Sequence, residues 1–267
     1  MNECWVNVDG LQIRYLESGK GSSKHVLFIH GLGSAADRWM NFPEELSSDF
    51  HSIAIDLPGF GESDKPKKME YTIDQFRKTI LSFLEEISIK DKKLNLIGHS
   101  LGGYIASEMA IKNQNIIQKL VLIDSSGMLQ KPTAVLEKYY EAAMNPTQEN
   151  VRKAFEKMVA DPKRIPQPLV DGFIRRINMP HAKHAFESTL VNSATTQIGL
   201  DRLTKINPIP TLILWGIYDE VIPLEHSKFF KDSILNSKLE IIEDAGHAPF
   251  AEKPKQVYYL VKNFLLL

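Results

Sequence analysis

The sequence holds a single cysteine, Cys4, in 267 residues. An internal disulfide is therefore excluded, and a reducing compartment is the expected setting. Long apolar runs are missing as well. No uncharged stretch approaches the ~18 residues of a membrane-spanning helix, so no membrane span is expected. The first ten residues, MNECWVNVDG, contain no apolar h-region, which argues against a secretory signal and for a cytoplasmic protein. The net charge is only −1, with no basic surplus to attract nucleic acid. There is no internal repeat or low-complexity tract. No Cys or His spacing suits a metal, so neither metal nor cofactor is expected. What remains is 43% hydrophobic and 24% charged, enough for a sizeable core. The length suits one α/β domain with an insertion.

Strand signals come first. WVNV, Asp9-Gly10 and LQIRYLE read as a hairpin around a two-residue turn. Six short apolar runs follow: HVLFIH (25–30), HSIAID (51–56), LNLIG (94–98), KLVLID (119–124), TLILWG (211–216) and LEIIED (239–244). They are continuous rather than alternating, as in parallel strands covered on both faces. With the hairpin they predict an α/β fold with an eight-stranded, mostly parallel sheet wrapped by helices.

Helical patterns lie between the runs. Residues 71–88 place Ile73, Phe76, Ile80, Phe83, Leu84 and Ile87 on one stripe, and Thr72 with Gln75 reads as a capping box. Residues 101–112 and 254–266 also read as helices, the latter opened by Pro254 with Val257, Leu260, Val261 and Phe264 on one side. Between 125 and 209 no strand signal occurs, while 147–160, 166–177 and 181–192 look helical. The expected organisation is a core of residues 1–125 and 206–267 with a helical cap, 126–205, inserted in it. The cap carries 12 Lys and Arg against 8 Asp and Glu. A surplus of this size is ordinarily a solvated face.

Gly98-His99-Ser100-Leu101-Gly102 fits G-x-S-x-G between a strand and a helix. A sharp bend there lifts a hydroxyl clear of the backbone, small flanks let strand and helix approach, and the helix start offers free N–H groups to an oxyanion. Such a serine needs a base, and the base needs an orienting group. Of eight histidines, His247 in EDAGHAPFAEKP suits best, just beyond the last strand run and beside Gly246. His30 and His99 belong to turn motifs, and the others start strands or lie in helical segments. For the acid, Asp219 in LILWGIYDEVIP competes with Asp124 at the end of KLVLID. Oxyanion donors are expected from the N–H of Leu101 and of Leu32 in HGLGS.

These motifs, with DLPGFGESDKP (56–66), resemble the α/β-hydrolase superfamily along the whole chain, in its capped serine-esterase branch, carboxylesterase- or lipase-like. The order Ser100, Asp219, His247 is that superfamily's order and favours Asp219 over Asp124. The resemblance implies that 126–205 is a mobile lid shaping an acyl pocket and that DLPGFGES frames the site without reacting. Trp39, Met128, Leu129, Ile217, Val221 and Phe250 are the expected apolar liners. The implied activity is hydrolysis of a small-molecule carboxylic ester through an acyl-enzyme. Ser100 argues against relatives that use aspartate as nucleophile. Carbon–carbon hydrolases of meta-cleavage products keep the serine but typically carry tryptophan after the histidine, where this chain has Ala248. The alternatives are therefore a carbon–carbon or thioester hydrolase and a triad-retaining ligand receptor. An acyl carrier protein meeting the basic cap is a further candidate partner.

Overall fold

The structure, a computed structural model, describes residues 1–39, 41–89 and 92–267. Eight strands form one sheet: β1 Asn2–Val8, β2 Leu11–Ser18, β3 His25–Ile29, β4 His51–Ile55, β5 Leu94–His99, β6 Ile117–Ile123, β7 Thr211–Gly216 and β8 Ser237–Ile242. Their order is β1-β2-β4-β3-β5-β6-β7-β8. The first two ladders, β1–β2 and β2–β4, are antiparallel, and the rest are parallel. The opening hairpin pairs Val8 with Leu11 across Asp9 and Gly10, both at positive φ, the geometry a two-residue turn requires. Helices α1 Phe42–Glu45, α2 Ile73–Glu86 and α3 Leu101–Lys112 lie between the early strands. Helices α4 Ala134–Met144, α5 Gln148–Glu156, α6 Gln167–Ile177, α7 Ala182–Ala194 and α8 Leu200–Leu203 fill the interval between β6 and β7. Helices α9 Glu225–Ser233, α10 Pro249–Glu252 and α11 Pro254–Leu266 complete the chain. Among the described residues no helix is long and apolar enough to cross a membrane.

The sheet separates two apolar layers because successive strand residues point to opposite faces. Leu27 and Ile29 of β3 join Phe76, Ile80, Phe83, Ile105 and Met109 of α2 and α3. Val26 and Phe28 of the same strand join Phe42 of α1 and Val257, Val261 and Leu265 of α11. Both faces being covered explains why the strands read as unbroken apolar runs. The α2 stripe is buried as its period requires, with Ile87 half-exposed beyond the helix end. Its cap is one-sided: Thr72 accepts the Gln75 N–H at 3.2 Å. The first layer runs on into the helices of the β6–β7 interval through Tyr139, Phe155, Phe173 and Phe186. Helix α4 was not expected, although Val135, Leu136, Tyr139, Ala142 and Ala143 form a buried stripe at helical spacing.

The DLPGFGES loop after β4 is held by a buried carboxylate. Asp56 accepts the Ala36 N–H at 2.6 Å, the Glu62 N–H at 2.8 Å and Arg14 Nη1 at 3.1 Å. Arg14 also reaches Glu3 and Asp37, so one buried cation ties the hairpin to two loops. Removing Asp56 leaves two amides unmet and a buried guanidinium short of a partner. Asp56→Ala is therefore expected to lower unfolding free energy in urea by about 3 kcal/mol or more. A loss below about 1 kcal/mol, the scale of an ordinary surface change, would contradict this account.

Candidate active site

Ser100 stands between β5 and α3 at φ +53° and ψ −118°, a backbone position that residues with a Cβ rarely adopt. The bend is braced by its own backbone groups. The Ser100 N–H donates to Ile123 O at 3.0 Å, and its carbonyl accepts from Gly103, Tyr104 and Ser126. The surrounding glycines exist for space. A Cβ on Gly98 would sit 2.3 Å from the Gly102 carbonyl, and one on Gly102 would sit 2.0 Å from the Ile29 carbonyl. Strand and helix meet only because both side chains are absent.

His247 lies in the loop between β8 and α10. Its Nδ1 is 2.8 Å from Asp219 Oδ2. The other carboxylate oxygen of Asp219 accepts the N–H groups of Val221 (2.8 Å) and Ile222 (3.0 Å). A carboxylate only accepts, so the proton sits on His247 Nδ1 and Nε2 is left as an acceptor. Ser100 and His247 line the same cavity, of about 410 Å³. No hydrogen bond joins the two side chains in this structure.

Asp124, the competing acid, does not reach the imidazole. It closes β6 at φ +44°, and its Oδ1 accepts the Gly216 N–H at 2.8 Å. Its Oδ2 is buried without a partner. Burial, and then the charge of Asp219, push its pKa well above the usual carboxylate range.

The loop after β3 packs against the serine: a Cβ on Gly31 would lie 3.1 Å from Ser100 Cβ. Neither the Leu32 nor the Leu101 N–H donates to any protein acceptor among the described residues. The loop is fastened by residues that the sequence left without a role. His30 accepts the Leu57 N–H at Nε2 and therefore donates from Nδ1 to the Gly31 carbonyl at 2.8 Å. Tyr139 donates to the Leu32 carbonyl at 3.1 Å. His99 donates from Nε2 to the His247 carbonyl at 2.6 Å. Burial moves both His30 and His99 below the usual histidine pKa, keeping them neutral.

Of the six expected apolar liners, Val221 is on the cavity wall. Trp39 and Phe250 are not: they stack on each other at 4.6 Å in the second apolar layer. Met128 and Leu129 are buried in the first layer. Ile217 is half-buried, its N–H spent on Ile242 O at 3.1 Å. Nearness in sequence to a catalytic loop does not set side-chain direction; the opposite pull of each apolar layer does. The apolar wall comes instead from the β6–β7 helices, with Leu136, Tyr139, Phe155 and Phe173, and from Met158 in the turn after α5. Among the described residues no group of three or more His, Cys, Asp or Glu is arranged to hold a metal ion.

Fold and site together define an α/β protein built around a hydroxyl on a strained strand–helix bend, beside an imidazole–carboxylate pair. A family model described as alpha/beta hydrolase fold matches residues 24–254, and the chain belongs to that family. It is similar to monoacylglycerol lipase abhd6-B of Xenopus laevis, 26% identical over 98% of this chain and 84% of that protein. It is also similar to 2-hydroxy-6-oxo-6-(2'-aminophenyl)hexa-2,4-dienoic acid hydrolase of Metapseudomonas resinovorans, 28% identical over 98% and 90% of the two chains. Among solved structures, a serine hydrolase involved in carbazole degradation superposes with TM-score 0.86 at 26% identity, covering 99% of this chain and 98% of that one.

The raised pKa of Asp124 gives a pH-dependent prediction. A carboxyl whose pKa is raised by folding favours the fold below its unfolded pKa and loses that contribution as pH rises through the folded value. Asn reproduces the protonated acid, so Asp124→Asn should match the wild type near pH 4, about the ordinary carboxylate value. It should become progressively more stable than wild type toward alkaline pH. Melting temperatures measured across that range check this, and a constant difference between the two proteins would refute it.

Proposed function

We propose that the chain is a serine hydrolase that cleaves carboxylic esters of small to medium acyl chains. The observation that carries the reading is the Asp219–His247 bond at 2.8 Å, which leaves Nε2 as the free acceptor on a cavity that Ser100 also lines. In this mechanism His247 takes the Ser100 proton as the hydroxyl attacks the ester carbonyl. Asp219 holds the imidazole and stabilises its protonated form. The N–H groups of Leu32 and Leu101 receive the oxyanion, each contributing about 3 kcal/mol to the transition state. His247 returns the proton to the departing alcohol, and an acyl-enzyme forms. Water, deprotonated by His247, then releases the acid. The largely apolar wall suits an acyl chain, and the similarity to a monoacylglycerol lipase supports ester chemistry.

A second reading, hydrolysis of a carbon–carbon bond, is favoured by the similarity to the hexadienoic acid hydrolase along 98% of the chain. Ala248 after His247 weighs against it, where the resembling carbon–carbon hydrolases carry tryptophan.

A fluorophosphonate probe is expected to label Ser100, located by mass spectrometry, and p-nitrophenyl esters from acetate to palmitate should be turned over with a maximum at short or medium chains. Ser100→Ala should lower kcat by about 10⁴-fold or more. Undiminished ester turnover in that variant would end the proposal. Rapid cleavage of a ring-opened dienoate with negligible ester turnover would install the second reading.

A further inference from the structure

Two arginines stand in the wall of the otherwise largely apolar cavity, and ester hydrolysis as described employs neither. Arg38 follows the loop that bears Leu32, and Arg176 projects from α6. Arg38 is half-buried, and its guanidinium donates no hydrogen bond to any protein group among the described residues. The guanidinium carbon stands over the ring of Phe250, 5.7 Å from its centroid. Arg176 has its Nε buried without a partner, and its Nη1 stands 3.6 Å from Asp37, an ion pair without a hydrogen bond.

Asp37 also lines the cavity, and it and the other nearby carboxylates have further partners. Asp37 receives both terminal nitrogens of Arg14, at 3.2 and 3.1 Å. Glu62 is gripped by both terminal nitrogens of Arg175. Glu252 is occupied by the N–H groups of Ala160, Gly246 and Ala248. Both guanidiniums line the cavity that Ser100 and His247 share. The charge of Arg38 is felt at His99, next to the serine, that of Arg176 at His30, and both at the Tyr139 hydroxyl. Tyr139 in turn bonds the Leu32 carbonyl. A guanidinium presents five donors in a fixed fork matched to carboxylate and phosphate, and leaving those donors unmet away from water is unfavourable.

We infer that Arg38 and Arg176 form an anion-binding subsite in the substrate cavity, and that the substrate carries a carboxylate or phosphate besides its scissile ester. This narrows the ester-hydrolase reading and rests on it for turnover, though not for binding.

The test uses two matched pairs: monomethyl glutarate against dimethyl glutarate, and 1-butyrylglycerol 3-phosphate against 1-butyrylglycerol. Titration calorimetry on the full-length Ser100→Ala protein reads the subsite without chemistry. The anionic member of at least one pair is expected to bind about tenfold or more tightly than its neutral partner, the scale of a charge-assisted hydrogen bond. That preference should collapse when Arg38→Met or Arg176→Met is added to Ser100→Ala, in proteins whose melting curves show them folded. Arg38→Lys and Arg176→Lys, which keep the charge and lose the fork, replace any variant that does not fold and should retain part of the preference. A preference confined to the glycerol pair assigns a phosphate, and one confined to the glutarate pair a carboxylate. Absence of anionic preference in both pairs, or a preference left undiminished by substitution of either arginine, overturns the inference. Wild-type turnover is scored separately. Arginine-dependent binding without hydrolysis of any of the four esters would leave the subsite standing and remove the ester-hydrolase reading.

Discussion

The site depends on one strained residue. Ser100 holds a positive φ that disfavours any side chain, a strain of order 1–3 kcal/mol. It persists because the Ser100 carbonyl accepts three N–H groups and its own N–H is fixed to β6. The strain has consequences on both sides. It turns the hydroxyl onto the cavity wall, and it starts α3 at once, leaving the Leu101 N–H unspent. Gly98 and Gly102 are the sequence's signature of that bend, since a methyl group at either would strike backbone less than 2.5 Å away.

Around this bend, burial sorts the ionisable groups into roles. His30 and His99 are driven toward the neutral form and serve as fasteners, His30 spending both ring nitrogens and His99 its Nε2 on loop backbone. Burial, and then the charge of Asp219, raise the pKa of Asp124, so the pair does not carry two full charges side by side. Asp219, with three donors converging on it, is the better supplied with hydrogen bonds. The rivalry between them in the sequence is thus resolved by hydrogen-bond supply. Asp124 is left with one amide and an unpartnered oxygen.

The sheet was legible in the sequence because both its faces are covered, which turns each parallel strand into a continuous apolar run such as TLILWG. The serine bend was legible because close approach demands glycine. The cavity wall was not. Arg38 and Trp39 are neighbours in sequence, yet one lines the cavity and the other is sealed in the layer beneath the sheet. The remaining wall is supplied by helices α4 to α6 and the turns between them, whose inward faces are fixed by packing against one another. Helix α4 itself carried a readable stripe, but Tyr139 could not be connected to the Leu32 carbonyl without coordinates, since 107 positions separate them.

The helices between β6 and β7 do more than roof the cavity. The His247 N–H donates to Met158 O at 2.7 Å, and a Cβ on Gly246 would lie 2.5 Å from that same oxygen. Glu252 then bridges the two segments, accepting from Ala160 on one side and Gly246 on the other. The loop that carries the imidazole is therefore built partly against residues 158–160. A rigid lifting of this whole region would pull on the backbone of His247 and break the bond that sets its height. Motion that admitted substrate while keeping the imidazole in place would have to hinge on either side of Met158–Ala160, moving the helices and leaving that short stretch behind. The aromatic contacts among Tyr139, Phe155 and Phe173 oppose such a split, since they tie α4, α5 and α6 into one packed unit above the serine. Access and alignment are thus set against each other by the same few residues, and the stretch from Met158 to Ala160 is where the compromise is made.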